Sequence, residues 1–232
     1  LNVIVTGASK GIGRGIARVL AREGFTVGAL ARSEEELENL RNAIVQDGGR
    51  CETAVCNLRD ASATIVAIDS LTDALGGING LINNAGLVLR KSALDITMDE
   101  WHAMIETNVN GLFYATRAVL PRMKAQGSGT IINVSSISGR VPLPGGSGYA
   151  ATKFAVTGFS QSLFQEVRDF GIRVTTLYPG SIDTDSHRHD TDAGWKVQPE
   201  EVGEACAHVL RAKPGTVISE LEIRPRSRPP KP

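Results

Sequence analysis

What most restricts this chain is an alternation that runs almost its whole length. Short apolar runs take turns with longer amphipathic stretches. "NVIVT" (2–6), "FTVGALA" (25–31), "CETAVC" (51–56), "GLIN" (80–83), "TIINVS" (130–135) and "RVTTLY" (173–178) read as strands, with "SELEI" (219–223) as a weaker seventh. Residues 12–23, 33–47, 60–76, 97–125, 149–169 and 199–211 carry helical patterning between them. Parallel strands need long crossovers and helices supply them, so the predicted fold class is α/β, a doubly wound and mostly parallel sheet with helices on both faces.

A length of 232 residues fits one large domain better than two small ones, and neither a repeat nor a linker divides the chain. The expected boundaries are a single domain over 1–223 and a basic, proline-rich tail, "RPRSRPPKP" (224–232), extended and loosely held. The helix that begins at 97 has a capping box, Thr97 with Glu100. It is expected to run to about Met123, with Pro121 disturbing only its last turn. The one long polar interruption is "DTDSHRHDTDAG" (183–194), between the sixth strand and the next helix. A connection of that length covers a site or is mobile.

Composition serves mainly to exclude. Lys+Arg and Asp+Glu both number 25, so no global charge draws the chain to nucleic acid or a membrane. Cys51, Cys56 and Cys206 have no metal-ligand spacing. Cys51 and Cys56 fall on opposite sides of one strand, which points to free thiols in a reducing cytosol. No apolar run reaches membrane-spanning length and no leader precedes the first strand, so the expected location is cytoplasmic. The sequence opens without a methionine, which leaves room for residues before it.

"TGASKGIG" (6–13) lies between the first strand and the first helix. It departs from GxGxxG, with glycines at Gly7, Gly11 and Gly13 and Ile16 further on, but the physics is the same. Glycine allows the tight turn and the close approach of backbone N–H groups to a pyrophosphate, and the helix N-terminus favours its charge. The second strand ends Ala31-Arg32-Ser33, without the acid that would hold the ribose diol of NAD. Arg32, joined by Lys10, is placed to meet a 2′-phosphate, which favours NADP over NAD.

"GYAATK" (148–153) spaces Tyr149 and Lys153 four residues apart, on one helical face. Together these segments resemble the classical short-chain dehydrogenases/reductases. The match is carried in order by "TGASKGIG", "NNAG" (83–86), Asn108 in "ETNVNG", "NVSS" (133–136), "YAATK" (149–153) and "PGSIDT" (179–184).

The resemblance implies a single-domain Rossmann fold and a catalytic tetrad of Asn108, Ser136, Tyr149 and Lys153. The family's spacing to the tyrosine selects Ser136 over Ser135. For the cofactor it implies Gly7, Ser9, Lys10, Gly11, Ile12 and Gly13 in the turn, Arg32 after the second strand, and Asn57 with Leu58 after the third. Asn84, Ala85 and Gly86 would support the sheet beside it, Tyr149 and Lys153 would contact it, and Pro179, Gly180, Ile182 and Thr184 would hold the nicotinamide end. Asn57 departs from the aspartate commonly found at the adenine, though an amide still hydrogen-bonds adenine.

The expected reaction is hydride transfer between NADP(H) and a small carbonyl or alcohol. Tyr149 is the acid/base, with its pKa pulled down by the Lys153 ammonium. Ser136 would stabilise charge on the substrate oxygen. Lys153 would also hold the nicotinamide ribose, and Asn108 would anchor a proton-relaying water. A catalytically silent NADP-binding sensor or scaffold is the alternative function, and a 3-oxoacyl or hydroxy-acid substrate the alternative chemistry. Segments 87–91, 138–148 and 183–196 bound the substrate. Arg90 and Arg140 within or beside them either meet an acidic group or face solvent.

Trp195 either lines the pocket or pins the loop, and Trp101 is expected to pack the start of its helix. Asn133-Val134-Ser135 fits a glycosylation sequon but falls in a predicted central strand. His187 and His189 make a weak pair, and no metal is expected. Helices of this family pair across subunits, and Ala150, Ala151, Ala155 and Gly158 would permit close packing, so a homodimer or homotetramer is expected.

Overall fold

The chain's β-branched and leucine-rich runs form a parallel sheet in the computed structural model, which describes residues 1–142, 144–184 and 194–227. Among these residues the strands are β1 (Asn2–Thr6), β2 (Thr26–Ala31), β3 (Arg50–Val55), β4 (Gly80–Asn83), β5 (Gly129–Val134), β6 (Ile172–Pro179) and β7 (Glu220–Ile223). They lie in the order β3-β2-β1-β4-β5-β6-β7, and every neighbouring pair is parallel. β4 and β5 are buried along their whole length, including the polar Asn83, Thr130 and Asn133, as central strands covered on both faces are. β7 is an edge strand whose residues alternate between half-buried and exposed, and that is why its sequence signal is weak.

The helices are α1 (Gly11–Arg22), α2 (Glu34–Gln46), α3 (Ala61–Ala74), α4 (Met98–Ile105), α5 (Gly111–Gln126), α6 (Ser147–Val167) and α7 (Pro199–Leu210). Alternate strand residues feed two cores. Val3, Val5 and Ile82 pack with Ile16 and Leu20 of α1, Leu40 of α2 and Val202 of α7. Ile4, Leu81 and Ile131 pack with Ile68 of α3, Val119 of α5 and Leu163 of α6. Each such side chain, taken fully out of water, contributes about 1.5–3 kcal/mol. α1 and α7 approach closely because small residues meet there. A Cβ on Gly15 would come 2.5 Å from the Pro199 Cβ, and one on Gly203 would come 2.8 Å from the Val19 Cβ.

Sequence order runs outward from β1 to β3 and then returns to the other side of β1 at β4. The loops after β1 and β4 therefore diverge and open a crevice at the carboxyl end of the sheet, where doubly wound folds bind ligands.

Two helices differ from expectation. The stretch predicted as one helix over 97–125 is α4 and α5 joined by a π-helical turn, Glu106–Asn110. Such turns carry no periodic signature and occur mostly at functional sites. Pro121 lies well inside α5 rather than in its last turn. It is exposed, so the carbonyl left without a donor there can face water. Cys51 and Cys56 join opposite cores, and all three thiols are free and buried.

Candidate active site

The glycine turn after β1 is locked to the segment after β4. Gly7 and Gly11 hold the left-handed backbone that glycine tolerates best (φ 66° and 53°). A Cβ on Gly13 would sit 2.2 Å from the Gly7 carbonyl oxygen and 2.4 Å from Asn84 Nδ2. Asn84 Nδ2 donates to the carbonyls of Thr6 (3.0 Å) and Gly7 (3.3 Å). Thr6 Oγ1 in turn accepts the N–H groups of Asn84 and Ala85, each at 3.1 Å. Asn84 and Ala85 thus brace the turn.

The start of α1 suits an anion. Lys10 is its N-cap in an extended conformation and no side chain caps the first N–H groups. Ser9 is buried and Ile12 half-buried in the same turn. Arg32, at the end of β2, and Lys10 are both exposed and form no ion pair among the described residues, whereas Arg14 nearby is engaged with Glu36 at 3.7 Å. After β3, Asn57 is exposed and its Oδ1 accepts the Arg59 N–H (3.3 Å). Leu58 is buried, and a Cβ on Gly111 would come 2.8 Å from its Cβ.

The far wall is the segment after β6. Pro179 ends the strand, the Gly180 N–H donates to the Ile223 carbonyl (2.8 Å), and Ile182 is buried. A Cβ on Gly11 would stand 3.4 Å from Thr184 Cγ2, so the glycine turn and this segment meet. The Asp183 N–H donates to the Val197 carbonyl (2.8 Å) and the Val197 N–H to the Ser181 carbonyl (3.2 Å), closing the base of the long loop. Trp195 is half-buried beside that base. His187, His189 and the rest of 185–193 lie outside the described residues, as do residues 228–232 of the tail. Among the described residues no group of three or more His, Cys, Asp or Glu side chains could hold a metal ion.

Ser136, Tyr149 and Lys153 converge between these walls. Ser136 stands just past β5, where its side chain acts on the Tyr149 phenol and favours its ionised form. Its Oγ also accepts the Ser138 N–H (3.1 Å). Ser135 is buried and occupied elsewhere, donating to the Lys153 carbonyl at 2.9 Å. Lys153 is 4% exposed, and its Nζ lies 5.8 Å from the Tyr149 ring centroid and donates to the Val134 carbonyl (2.8 Å). Val134 is its one acceptor among the described residues, which leaves two donors. A Cβ on Gly86 would point at this spot, 3.7 Å from Lys153 Nζ and 3.5 Å from Asn108 Oδ1. Space is kept open there, and the donor set fits a ribose.

Burial decides both ionisations. It pushes the Tyr149 phenol up, opposed by the Ser136 hydrogen bond and by the charge of Arg90. It pulls Lys153 down to about 8. The expected depression of the tyrosine by the lysine is absent in the protein alone. The ammonium is turned to the Val134 carbonyl, and desolvation weakens its own charged state.

Asn108 lies in the π-helical turn with its side chain fully engaged. Its Oδ1 accepts the Leu87 N–H (2.7 Å), and its Nδ2 donates to the Leu87 carbonyl (2.9 Å) and to Thr152 Oγ1 (3.0 Å). Both amide hydrogens and the amide oxygen are thus engaged within the protein. Thr152 Oγ1 itself donates back to the Tyr149 carbonyl (2.8 Å). That link was not legible in the sequence, where Thr152 reads only as a small residue in the motif.

Arg140 does not enter the site. It is salt-bridged to Glu220 and Glu222, the latter at 3.2 Å, and lies 3.9 Å over the Tyr178 ring. Trp101 packs as expected. A Cβ on Gly148 would meet it at 3.4 Å and Met104 at 2.8 Å.

The short chain dehydrogenase family model matches residues 1–194. An uncharacterized oxidoreductase of Staphylococcus aureus (strain USA300) is 34% identical over 224 residues, covering 96% of each chain. Among solved structures, serine dehydrogenase from Escherichia coli superposes with a TM-score of 0.87 at 34% identity, over 97% of this chain and 98% of that one. The closed form of serine dehydrogenase complexed with NADP+ gives a TM-score of 0.89 at 32% identity, over 100% of this chain and 98% of that one.

Proposed function

The chain belongs to the short-chain dehydrogenase/reductase family of oxidoreductases, and from that premise we propose that it transfers a hydride between NADP(H) and a small carbonyl or alcohol. The observation that carries this reading is the meeting of the Ser136 and Tyr149 hydroxyls above a buried Lys153, at the mouth of the crevice beside the glycine turn.

When bound, the reduced nicotinamide supplies the hydride to the carbonyl carbon. Tyr149 gives its phenolic proton to the carbonyl oxygen while Ser136 hydrogen-bonds that oxygen as negative charge develops on it. Lys153 holds the nicotinamide ribose with the donors that Val134 leaves free, and its charge offsets the phenolate as the proton departs. Asn108 is a positioning residue through its side chain, holding Leu87 and Thr152, while its main chain takes the water. Gly7, Gly11 and Gly13 shape the pyrophosphate turn, and Ser9 and Ile12 belong to it. Asn57 takes the adenine beside Leu58, and 179–184 take the nicotinamide end.

NADP is favoured because Lys10 and Arg32 form no ion pair among the described residues and the end of β2, Ala31-Arg32-Ser33, carries no carboxylate. The solved serine dehydrogenase complexed with NADP+ supports the same choice. Phe113 and Phe154 are exposed beside Ala151, Ala155 and Gly158, whereas Ala150 faces inward. That face of α5 and α6 fits a homodimer or homotetramer. No helix among the described residues is long and apolar enough to cross a membrane, and the three reduced thiols suit a cytoplasmic setting.

The test is NADPH oxidation against a panel of carbonyls. Wild type should turn over at least one of them, and Tyr149→Phe should lower kcat roughly 10²- to 10⁴-fold, the usual span of general acid catalysis. Cofactor binding without turnover in both proteins would favour a sensor and refute the enzyme.

A further inference from the structure

We propose that Ser135 and Thr157 are positioning residues of this site: their hydroxyls hold the base of the Lys153 side chain and the turn that carries Ser136, and so fix these two groups relative to each other beside Tyr149. The proposal rests on the oxidoreductase reading above and adds two residues to its machinery.

Three consecutive residues at the end of β5 face one turn of α6. The Val134 carbonyl accepts Lys153 Nζ (2.8 Å), Ser135 Oγ donates to the Lys153 carbonyl (2.9 Å), and Ser136 acts on Tyr149. Ser135 is itself anchored in the sheet. It is 3% exposed, and its N–H donates to the Leu177 carbonyl of β6 (2.8 Å). Lys153 is therefore gripped at both ends, at its main chain by Ser135 and at its tip by Val134. A long, flexible side chain held in this way keeps little rotamer freedom, and its remaining donors keep one direction.

Thr157 Oγ1, one turn further along α6, lies 3.2 Å from Ser135 Oγ, 3.1 Å from the Lys153 carbonyl and 3.3 Å from the Gly139 carbonyl. Each hydroxyl has a single proton to give. Ser135 donating to Lys153 and Thr157 donating to Gly139 is the arrangement that satisfies both carbonyls. Gly139 closes the short turn Ile137–Gly139, in which the Ser138 N–H donates to Ser136 Oγ (3.1 Å) and the Gly139 N–H to the Ser136 carbonyl (2.8 Å). Thr157 thus holds Ser136 through this turn, as Ser135 holds Lys153 directly.

The turn is pressed onto the pair. A Cβ on Gly139 would come 2.4 Å from Ser135 Oγ and 2.7 Å from the Lys153 carbonyl oxygen, so no side chain fits between them. Removing either hydroxyl leaves one proton for two carbonyls, and one of the two segments comes loose.

The experiment uses Ser135→Ala, Thr157→Val and Thr157→Ser. It measures kcat in NADPH oxidation with a carbonyl that wild type turns over, and NADPH Kd by fluorescence titration. Ser135→Ala and Thr157→Val should each lower kcat by roughly five- to hundredfold, between the worth of one hydrogen bond and the cost of misplacing a reacting group by about 1 Å. The NADPH Kd should stay within about twofold, because the rest of the crevice holds the cofactor. Thr157→Ser should recover most of the kcat that Thr157→Val loses. Urea unfolding checks that each variant is folded in the assay, and Thr157→Val, which keeps the shape of the side chain, carries the test if Ser135→Ala does not fold. An unchanged kcat in the variants without the hydroxyl would overturn the assignment while leaving the oxidoreductase intact. So would a loss in Thr157→Ser equal to that in Thr157→Val, or an NADPH Kd that rises in step with the fall in kcat. No NADPH oxidation by wild type with any carbonyl would take down both readings.

Discussion

Replacing Lys153 with methionine tests what it costs the protein to keep a buried lysine beside Tyr149, the proposed acid. The side chain is fully enclosed, and burial lowers its pKa from the ordinary 10.5 to about 8. At about 1.4 kcal/mol per pKa unit, a shift of that size corresponds to roughly 3 kcal/mol of destabilisation wherever the lysine is charged in both states. The sign follows from proton counts. Between pH 8 and 10.5 the unfolded chain holds the lysine proton and the folded protein has lost it, so wild-type stability rises with pH across that window.

Lys153→Met removes this dependence but leaves the Val134 carbonyl without its donor, a cost of about 1–3 kcal/mol at all pH values. At pH 7 the two effects oppose, and the variant should equal wild type or exceed it by up to about 2 kcal/mol. At pH 10 it should be the less stable protein. Urea unfolding at pH 7, 8, 9 and 10, at one protein concentration, gives the difference directly and cancels every group the two proteins share. A wild-type-minus-variant difference that stays flat from pH 8 to 10 would refute the buried, strained lysine.

Two further substitutions separate packing from backbone freedom in the glycine turn. Gly13→Ala places a methyl 2.2 Å from the Gly7 carbonyl and should cost 3 kcal/mol or more, roughly the upper end for overpacking. Gly11→Ala meets Thr184 only at ordinary contact distance, 3.4 Å, and should cost about 1 kcal/mol for its left-handed φ. Thermal or urea unfolding that ranks the two equally would contradict this account. For the cofactor, Arg32→Asp should raise the NADPH Kd by roughly ten- to hundredfold and narrow or reverse the preference over NADH, since a cation facing a phosphate becomes a carboxylate suited to a diol. Fluorescence titration with both cofactors checks it, and an unchanged ratio would remove Arg32 from the 2′-phosphate.

The parts of the fold that sequence revealed are those with period and punctuation. β1, β5 and β6 are rich in β-branched residues, and the capping box at Thr97 forms as read, with its Oγ1 accepting the Glu100 N–H at 3.2 Å. The hidden parts depend on contacts between distant segments. The π-helical turn at Glu106–Asn110 sits in an unbroken helical pattern, and only the demand of Leu87 and Thr152 on Asn108 distinguishes it. The buried network from Asn83 Nδ2 to Asn133 Oδ1 (2.9 Å) and from Asn133 Nδ2 to Ser160 Oγ (2.9 Å) was equally invisible. In sequence, Asn133 is merely a sequon, and its complete burial removes it from any modifying enzyme. Arg140 shows the converse. Its charge was legible, but its partners on β7 were not, because that edge strand carries the weakest pattern in the chain.

The geometry also changes what the tyrosine and lysine spacing means. Four residues on one helix face bring the two side chains together, yet the Lys153 Nζ donates to the Val134 carbonyl and burial pushes the phenol's pKa up. A phenol held up in this way is a reluctant acid by itself. Ser136 and the charge of Arg90 pull the other way and favour loss of its proton. Ser136 follows β5 and Arg90 follows β4, and Asn108 and Thr152 fasten the segment beginning at Leu87 to the tyrosine's own helical turn. The acid proposed at Tyr149 would thus depend on segments outside its own helix, which is why four intact residues in a sequence are a necessary sign of the proposed activity and not a sufficient one.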